Sequence, residues 1–203
     1  MIELSAWELE ALEQLLTGGI RQSLESLAKL SSVSWRASGL RFEHIPARRL
    51  LEKADGLSAR HPRVLVSTQS GPLYFLLTFE SKGLAPLLKA LCDYYRVEME
   101  SLDDSARPML EELSNIVVGS FLKSLAESSK RMLVASVPCF IEGSRKDQLE
   151  SALADLDRRL DGDESLLLAG ATLYSEPLSA DCDCALLAGR RYLRGLIESV
   201  TFS

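Results

Sequence analysis

The sequence predicts an α+β fold built from two pseudo-symmetric α-β-α-β-β-α repeats that share antiparallel sheet structure. Three observations predict it. Helix-like and strand-like segments occur in the same order twice along the 203 residues. Long segments with apolar residues at spacings of three and four indicate helices, and short β-branched or aromatic runs around turn residues indicate strands. Segments mixed in this way pack as helices on a sheet.

The first repeat, about residues 6 to 97, opens with a long amphipathic helix. Leu9, Leu12 and Leu16 recur there at helical spacing. Turn residues and β-branched runs then indicate short strands and a hairpin. The predicted elements are a helix over residues 6 to 30, one strand or two over 33 to 45, a short helix over 46 to 57, hairpin strands over 63 to 67 and 73 to 79, and a helix over 82 to 95.

The second repeat, about residues 106 to 203, follows the same order. Leu125 aligns with Leu27 at an offset of 98 residues, and leucines of the two closing helices align at an offset of 109. A period this long favours one duplicated domain over a solenoid. The predicted elements are a helix over 108 to 129 with Pro108 in its first turn, a strand over 132 to 141, a charged helix over 145 to 160, strands over 166 to 173 and 184 to 188, and a helix over 190 to 200.

Composition narrows the class of protein. Hydrophobic residues make up 46% of the chain and charged residues 26%, as in ordinary soluble globular proteins. The formal net charge of −6 argues against nucleic-acid binding. No apolar run approaches the roughly 20 residues that span a bilayer, and the acidic, amphipathic start of the chain is unlike a signal peptide. We therefore expect a cytoplasmic monomer that binds neither membrane nor nucleic acid.

The cysteines and histidines suggest neither a metal site nor a catalytic pair. Cys182 and Cys184 form a C-x-C whose thiols point to the same side of a predicted strand. A zinc site would need a second cysteine pair or a histidine cluster. We interpret the cysteines as packing residues, since free Cys is often buried. His44 and His61 lie in different segments, which argues against a Ser-His or Cys-His hydrolase.

The stretch EELSNIVVGS, residues 111 to 120, departs from helix preferences on one face only. Glu112, Asn115 and Gly119 share that face. An Asn amide competes with the helix backbone, and Gly costs about 1 kcal/mol relative to Ala. Such departures are typical of functional sites. Ordinary roles stay open: a solvated Glu, an Asn that caps a kink or bonds a loop, and a Gly that permits helix–sheet contact.

The first repeat lacks this trio. At the offset of 98 residues, the acid and the amide align with Gln14 and Thr17, and the glycine aligns with Arg21. A folding requirement should appear in both copies. The asymmetry therefore favours a chemical role for the second copy.

Residues 112 to 127, ELSNIVVGSFLKSLAE, resemble the signature helix of the CheC/CheX/FliY family of chemotaxis phosphatases. That helix has a Glu, an Asn three residues on, a small residue four beyond it, and a closing leucine. Here they are Glu112, Asn115, Gly119 and Leu125. The duplicated layout, which spans nearly the whole chain, is most similar to CheC. The resemblance implies two long helices that carry the potential active sites.

Three features depart from the family pattern: Pro108, the position of Pro138, and the first site. The family's downstream proline is expected about one residue earlier than Pro138. Pro108 stands where the family usually has Asp or Ser, four residues before the Glu. In the first site, Gln14 cannot form an ion pair, and Thr17 has a shorter reach than Asn. The resemblance therefore implies a degenerate first site and an intact second one.

The resemblance also implies a substrate, the aspartyl phosphate of a CheY-type response regulator. Asn115 would orient the attacking water, Glu112 would pair with a lysine of the receiver domain, and Gly119 would let the receiver backbone approach. Val118 and Leu122 are expected to be exposed beside the pair and to bind the same partner. The Mg²⁺ would belong to the receiver, so neither a metal site nor a cofactor is expected in this chain.

A non-catalytic role is the alternative. The chain could be a CheC-like adaptor that binds phospho-CheY without hydrolysing it, or that binds the receptor deamidase CheD. Pro108 and the degenerate Gln14/Thr17 site are compatible with this interpretation.

Overall fold

Seven strands form one antiparallel sheet, and the long helices pack against it. The computed structural model describes residues 5–45, 61–98, 102–141, 154–155, 158–160 and 166–200. The elements, in chain order, are α1 (Ala6–Ser31), β1 (Arg36–Ala37), β2 (Arg41–Ile45), β3 (Arg63–Ser67), β4 (Leu73–Phe79), α2 (Ser81–Tyr95), α3 (Leu102–Ser129), β5 (Cys139–Ile141), β6 (Leu166–Ser175), β7 (Ala180–Gly189) and α4 (Arg190–Glu198).

The sheet joins the two predicted repeats at its centre. Its strand order is β1-β6-β7-β4-β3-β5, and β2 also pairs with β6. The central pair is β4 from the first repeat and β7 from the second, in a register that runs from Leu73 opposite Ala188 to Phe79 opposite Cys182. All strand pairs are antiparallel. The predicted α+β class with an antiparallel sheet is therefore confirmed.

The main core lies between this sheet and the two long helices, α1 and α3. Phe75 of β4 and Phe121 of α3 meet edge to face, with ring centroids 5.2 Å apart, and both are buried. The leucine stripe predicted for α1 contributes Leu12, Leu16 and Leu27 to the same core. Each buried leucine stabilises the fold by about 1.5–3 kcal/mol. The arrangement holds α3 firmly by its apolar side.

Local geometry repeats at the 98-residue spacing of the long helices. The hydroxyl of Ser31 donates to the carbonyl four residues earlier, and the hydroxyl of Ser129 does the same, both at 2.7 Å. The next residue in each case has a left-handed backbone, with φ of 57° at Ser32 and 52° at Lys130. The two helices therefore end in the same way.

Contacts between the two long helices also repeat at the spacing of 98 residues. A Cβ on Gly19 of α1 would meet the ring of Phe121, and the Ser23 hydroxyl donates to the Val117 carbonyl at 2.8 Å. Val117 is 98 residues after Gly19, and Phe121 is 98 residues after Ser23. The two contacts are therefore equivalent, as an approximate two-fold axis requires. The limits of the repeats, 6 to 97 and 106 to 203, stay a prediction.

α3 begins at Leu102, six residues before the predicted start, so Pro108 lies inside the helix. The prediction placed Pro108 in the first turn because proline lacks the N–H that a helix interior uses. Pro108 is on the exposed side of α3, where the helix tolerates it.

Two strands differ from their predicted limits. β7 begins at Ala180 and not at 184 as predicted. The prediction missed its first half because that half contains aspartates, which disfavour strands. One of them, Asp183, is exposed and accepts a hydrogen bond from the Thr172 hydroxyl of β6 at 2.6 Å. The predicted strand over 132 to 141 is reduced to Cys139–Ile141, directly after Pro138, with a single bridge at Ala135.

Two predicted helices fall largely outside the described residues. The helix over 46 to 57 lies wholly outside them. Of the helix over 145 to 160, the described residues 154, 155, 158 and 159 are helical. None of the helices in the described ranges is both long and apolar enough to cross a membrane.

Candidate functional site

α3 exposes a narrow polar stripe that contains the predicted trio. Glu112, Asn115 and Gly119 are all exposed, and they follow one another at one helical turn. The open face of α3 thus brings the acid and the amide together without any contribution from a loop. The structure places the predicted pair at the surface, where a partner can reach it.

The opposite side of α3 is packed almost completely. Five apolar residues on that side are at most 4% exposed: Leu110, Leu113, Val117, Phe121 and Leu125. A helix that is buried on this scale has little freedom to rotate or tilt. The backbone positions of the polar stripe are therefore set by the core.

The prediction that Val118 and Leu122 form an exposed binding surface is wrong. Val118 is 0% exposed and Leu122 is 2% exposed, and both belong to the main core. α3 packs against α1, α2, β3 and β5, so its buried side is wider than one apolar stripe. These two side chains support the site from beneath and do not contact solvent.

Gly119 leaves open space beside the pair. A Cβ built at this position would meet no atom of the described residues within 4 Å. Helix–sheet contact therefore does not explain this glycine. By contrast, Gly19 of α1 lies where a Cβ would come within 2.6 Å of the Phe121 ring.

Glu112 has one neighbour that the sequence did not reveal. The hydroxyl of Tyr95, the last residue of α2, donates to Glu112 Oε1 at 3.4 Å. Burial, and then the nearby Glu112 carboxylate, raise the pKa of the Tyr95 phenol above its ordinary value. No local pattern predicts this contact, because the two residues are 17 positions apart in different helices.

The Asn115 amide has no hydrogen-bond partner within the described part of the chain. An exposed amide offers both an oxygen acceptor and an N–H₂ donor, and it keeps them at all physiological pH values. Asn115 therefore presents a free, non-titrating group next to a carboxylate.

The adjacent carboxylate, Glu111, has a different environment. Its Oε1 lies 3.3 Å from the Nε of Arg107 and accepts from the backbone N–H of Phe140 at 3.3 Å. Glu111 thus ties α3 to β5 at the edge of the sheet. Of the two neighbouring acids, only Glu112 is directed at solvent beside Asn115.

α1 presents the equivalent stripe with different chemistry. Gln14 and Thr17 are exposed, and Arg21 stands at the position of Gly119. The described residues on this stripe line an open groove of about 490 Å³, and they are Glu10, Glu13, Gln14, Thr17, Gly18 and Arg21. Glu10 and Gln14 lie one turn apart in this groove, but it lacks the Glu–Asn pair at a spacing of three residues that α3 presents.

No cluster of three or more His, Cys, Asp or Glu able to hold a metal ion occurs among the described residues. Cys182 is buried in the core. Burial raises the pKa of the Cys184 thiol to about 12, so it is protonated at neutral pH.

Comparison with known protein structures shows which fold the chain has. No protein-family model matches the chain, and no curated protein matches it significantly. FliY of Thermotoga maritima superposes with a TM-score of 0.66 at 15% identity, covering 98% of both chains. A CheC-like superfamily protein of Shewanella gives 0.52 at 9% identity, covering 91% of this chain and 98% of the other. The chain has the CheC/CheX/FliY fold.

The same fold extends to flagellar FliM. A chain in the FliG–FliM complex of Helicobacter pylori superposes with a TM-score of 0.63 at 9% identity, covering 96% of this chain and 100% of the other. At these identities the similarity establishes the fold alone. The CheC/CheX/FliY fold is thus shown over nearly the whole chain, and a closer relation to CheC than to FliY stays a prediction.

Proposed function

We propose that this chain hydrolyses the aspartyl phosphate of a CheY-type receiver domain in chemotaxis signalling. The observation that carries the proposal is the exposed Glu112–Asn115 pair, one helical turn apart on the rigid helix α3. The CheC/CheX/FliY fold supports it, since α3 is one of the two long helices of that fold.

The reaction asks little of the protein beyond orientation. An aspartyl phosphate is an acyl phosphate, so it is already activated toward attack by water. Asn115 Oδ1 would accept a hydrogen bond from that water and aim it in line with the scissile P–O bond. The analogous group in GTPases is a glutamine that orients the attacking water. Holding two reactants in line can supply about 7–11 kcal/mol of the barrier.

Glu112 would act on the partner and not on the water. Receiver domains carry a lysine beside the phosphorylated aspartate, and an exposed carboxylate can pair with it. Because Glu112 and Asn115 share one helix face, the ion pair would also insert the amide into the receiver site. The Mg²⁺ would come with the receiver domain.

Two structural features suit this docking. The buried face of α3 sets the backbone positions of both groups before the partner arrives. The open space at Gly119 would let the receiver backbone approach within one turn of Asn115.

A binding role without turnover is the second candidate. The fold is shared with FliM, which forms a complex with FliG in one of the similar structures. The stripe on α1 also lacks a Glu–Asn pair at a spacing of three residues. On this candidate the chain is an adaptor for phospho-CheY or for CheD, and the polar stripe of α3 serves only as a contact.

Phosphate release from a phosphorylated CheY-type receiver tests the proposal. We expect Asn115→Ala to reduce release by about 100-fold or more, the scale for loss of one group that acts at the reacting atoms. Thr17→Ala, the matched position on α1, should change release by less than about twofold, a shift of under 0.5 kcal/mol. Equal losses in both variants, or none in either, would remove Asn115 from the reaction.

A further inference from the structure

Tyr95 is the one side chain from another described element that is hydrogen-bonded to the proposed catalytic pair. Its hydroxyl donates to Glu112 Oε1, and this is the only hydrogen bond of the Glu112 side chain within the described residues. We propose that Tyr95 is a positioning residue that orders the Glu112 carboxylate for the partner's cation. The role rests on the proposed phosphatase function.

The backbone of Tyr95 is held in place by the end of α2. The next residue, Arg96, has a left-handed backbone with φ of 57°, and its N–H donates to the Asp93 carbonyl at 3.3 Å. The N–H of Val97 donates to the Cys92 carbonyl at 3.0 Å. These two bonds form a Schellman motif, which stops the helix at a defined residue. Cys92 is itself buried, so this last turn is anchored to the core.

Tyr95 is 38% exposed, and its ring packs edge to face with that of Tyr94 at a centroid distance of 5.1 Å. Burial and the Glu112 carboxylate both favour the neutral phenol, which is why the pKa of Tyr95 is raised. The hydroxyl therefore stays protonated, and able to donate, at neutral pH.

The contact is a weak one. At 3.4 Å it is longer than the roughly 2.5–3.0 Å usual for O–H···O hydrogen bonds. Such a bond restricts the rotamers of a glutamate that is otherwise free in solvent. It is also weak enough to be shared with, or exchanged for, an incoming lysine. Ordering a side chain before association reduces the entropy lost on binding, so the benefit should appear in KM.

Tyr94 supplies a matched control. It lies in the same aromatic pair, is 52% exposed, and makes no hydrogen bond to Glu112. Tyr94→Phe and Tyr95→Phe each remove one hydroxyl and keep the ring. A difference between the two variants therefore reports the Tyr95–Glu112 contact and not the packing of the pair.

Steady-state phosphate release is measured against receiver concentration for the wild-type protein and both variants. For Tyr95→Phe we expect KM to rise about three- to tenfold, as for a weakened hydrogen bond to a charged group, with kcat nearly unchanged. Tyr94→Phe should match the wild type in both constants. If the wild type is active and the two variants behave alike, or if Tyr95→Phe lowers KM, the inference is overturned and the proposed function survives.

A second measurement does not depend on turnover. The phenol of Tyr95 is titrated by NMR with ring-labelled tyrosine, assigned with the two phenylalanine variants, in the wild type and in Glu112→Gln. We expect the pKa of Tyr95 to fall toward its ordinary value in Glu112→Gln, because the charged neighbour is lost. An unchanged titration would overturn the inference. A wild type that titrates as expected but releases no phosphate would instead defeat the proposed function.

Discussion

Two consecutive glutamates of α3 illustrate how function and structure separate at the scale of single residues. Glu111 is held by Arg107 and by the backbone of Phe140, so it fastens α3 to the sheet edge. Glu112 is exposed, and its one side-chain hydrogen bond to the described residues is the long contact with Tyr95. The rotation of about 100° between neighbouring residues of an α-helix is enough to assign them different roles.

Alanine at each of the two positions should therefore have opposite consequences. Glu111→Ala should lower the free energy of unfolding by about 1 kcal/mol, the typical value of one hydrogen bond, with little change in phosphate release. Glu112→Ala should leave stability within about 0.5 kcal/mol, as at most surface positions, and should reduce kcat/KM about tenfold or more through loss of the lysine contact.

Urea unfolding and phosphate release, measured on both variants, check this. The helix-propensity change is the same at the two positions and cancels in the comparison. A loss of release that follows stability in both variants would contradict separate roles.

At the scale of elements, the two long helices use glycine for different purposes. Gly19 of α1 lies against the Phe121 ring and allows the helices to approach closely. Gly119 of α3 lies at the surface beside Asn115, where no contact with the described residues requires it. The first glycine serves packing, and we propose that the second makes room for an external partner.

Alanine substitution should distinguish these two purposes. Gly119→Ala should raise the free energy of unfolding by up to about 1 kcal/mol through helix propensity, yet raise KM for the receiver. Gly19→Ala should lower the free energy of unfolding by about 1–3 kcal/mol, because the added methyl overpacks the core. Urea unfolding and receiver-dependent phosphate release measure both effects. A Gly119→Ala variant that is stabilised and fully active would show that no partner backbone approaches there.

At the scale of the whole molecule, an ion pair joins the first helix to the last. Glu8 Oε1 of α1 accepts from the Nε of Arg194 of α4 at 2.5 Å, and Glu8 also forms a capping box with Ser5. The Arg194 bond, then the Ser5 backbone N–H, lower the pKa of Glu8 from 4.5 to about 2. The folded state thus favours the charged carboxylate more than the unfolded state does.

A depressed pKa in the folded state means that the stabilisation is present above the unfolded value and is lost on acidification. We expect Glu8→Gln to be less stable than the wild type at pH 7, with the difference shrinking as the pH falls from about 4.5 toward 2. Urea unfolding midpoints at several pH values measure this difference in stability between Glu8→Gln and the wild type. The exposed Glu25→Gln is the control. A difference that stays constant down to pH 3 would show that the ion pair is not its source.

The sequence predicted the architecture better than the surroundings of the site. Helical spacing of leucines located α1 and α3, and departures from helix preference located Glu112 and Asn115 on one exposed face. Val118 and Leu122 were misplaced, because a single-stripe pattern does not show that α3 packs on several sides.

Other features depend on tertiary contacts that leave no local pattern. Tyr95 reaches Glu112 only because α2 ends beside α3. The first half of β7 was missed because Asp181 and Asp183 disfavour strands in isolation, although pairing with both neighbours stabilises them there.

The central claim is that the Glu112–Asn115 face performs catalysis and does not merely bind. The most direct test mixes a trace of the chain with a large excess of phosphorylated receiver and counts the phosphates released per chain above the receiver's own rate. We predict many phosphates per wild-type chain and a return to the receiver's own rate with Asn115→Ala. Release of no more than one phosphate per chain, with binding to the phosphorylated receiver intact, would contradict the claim and leave an adaptor.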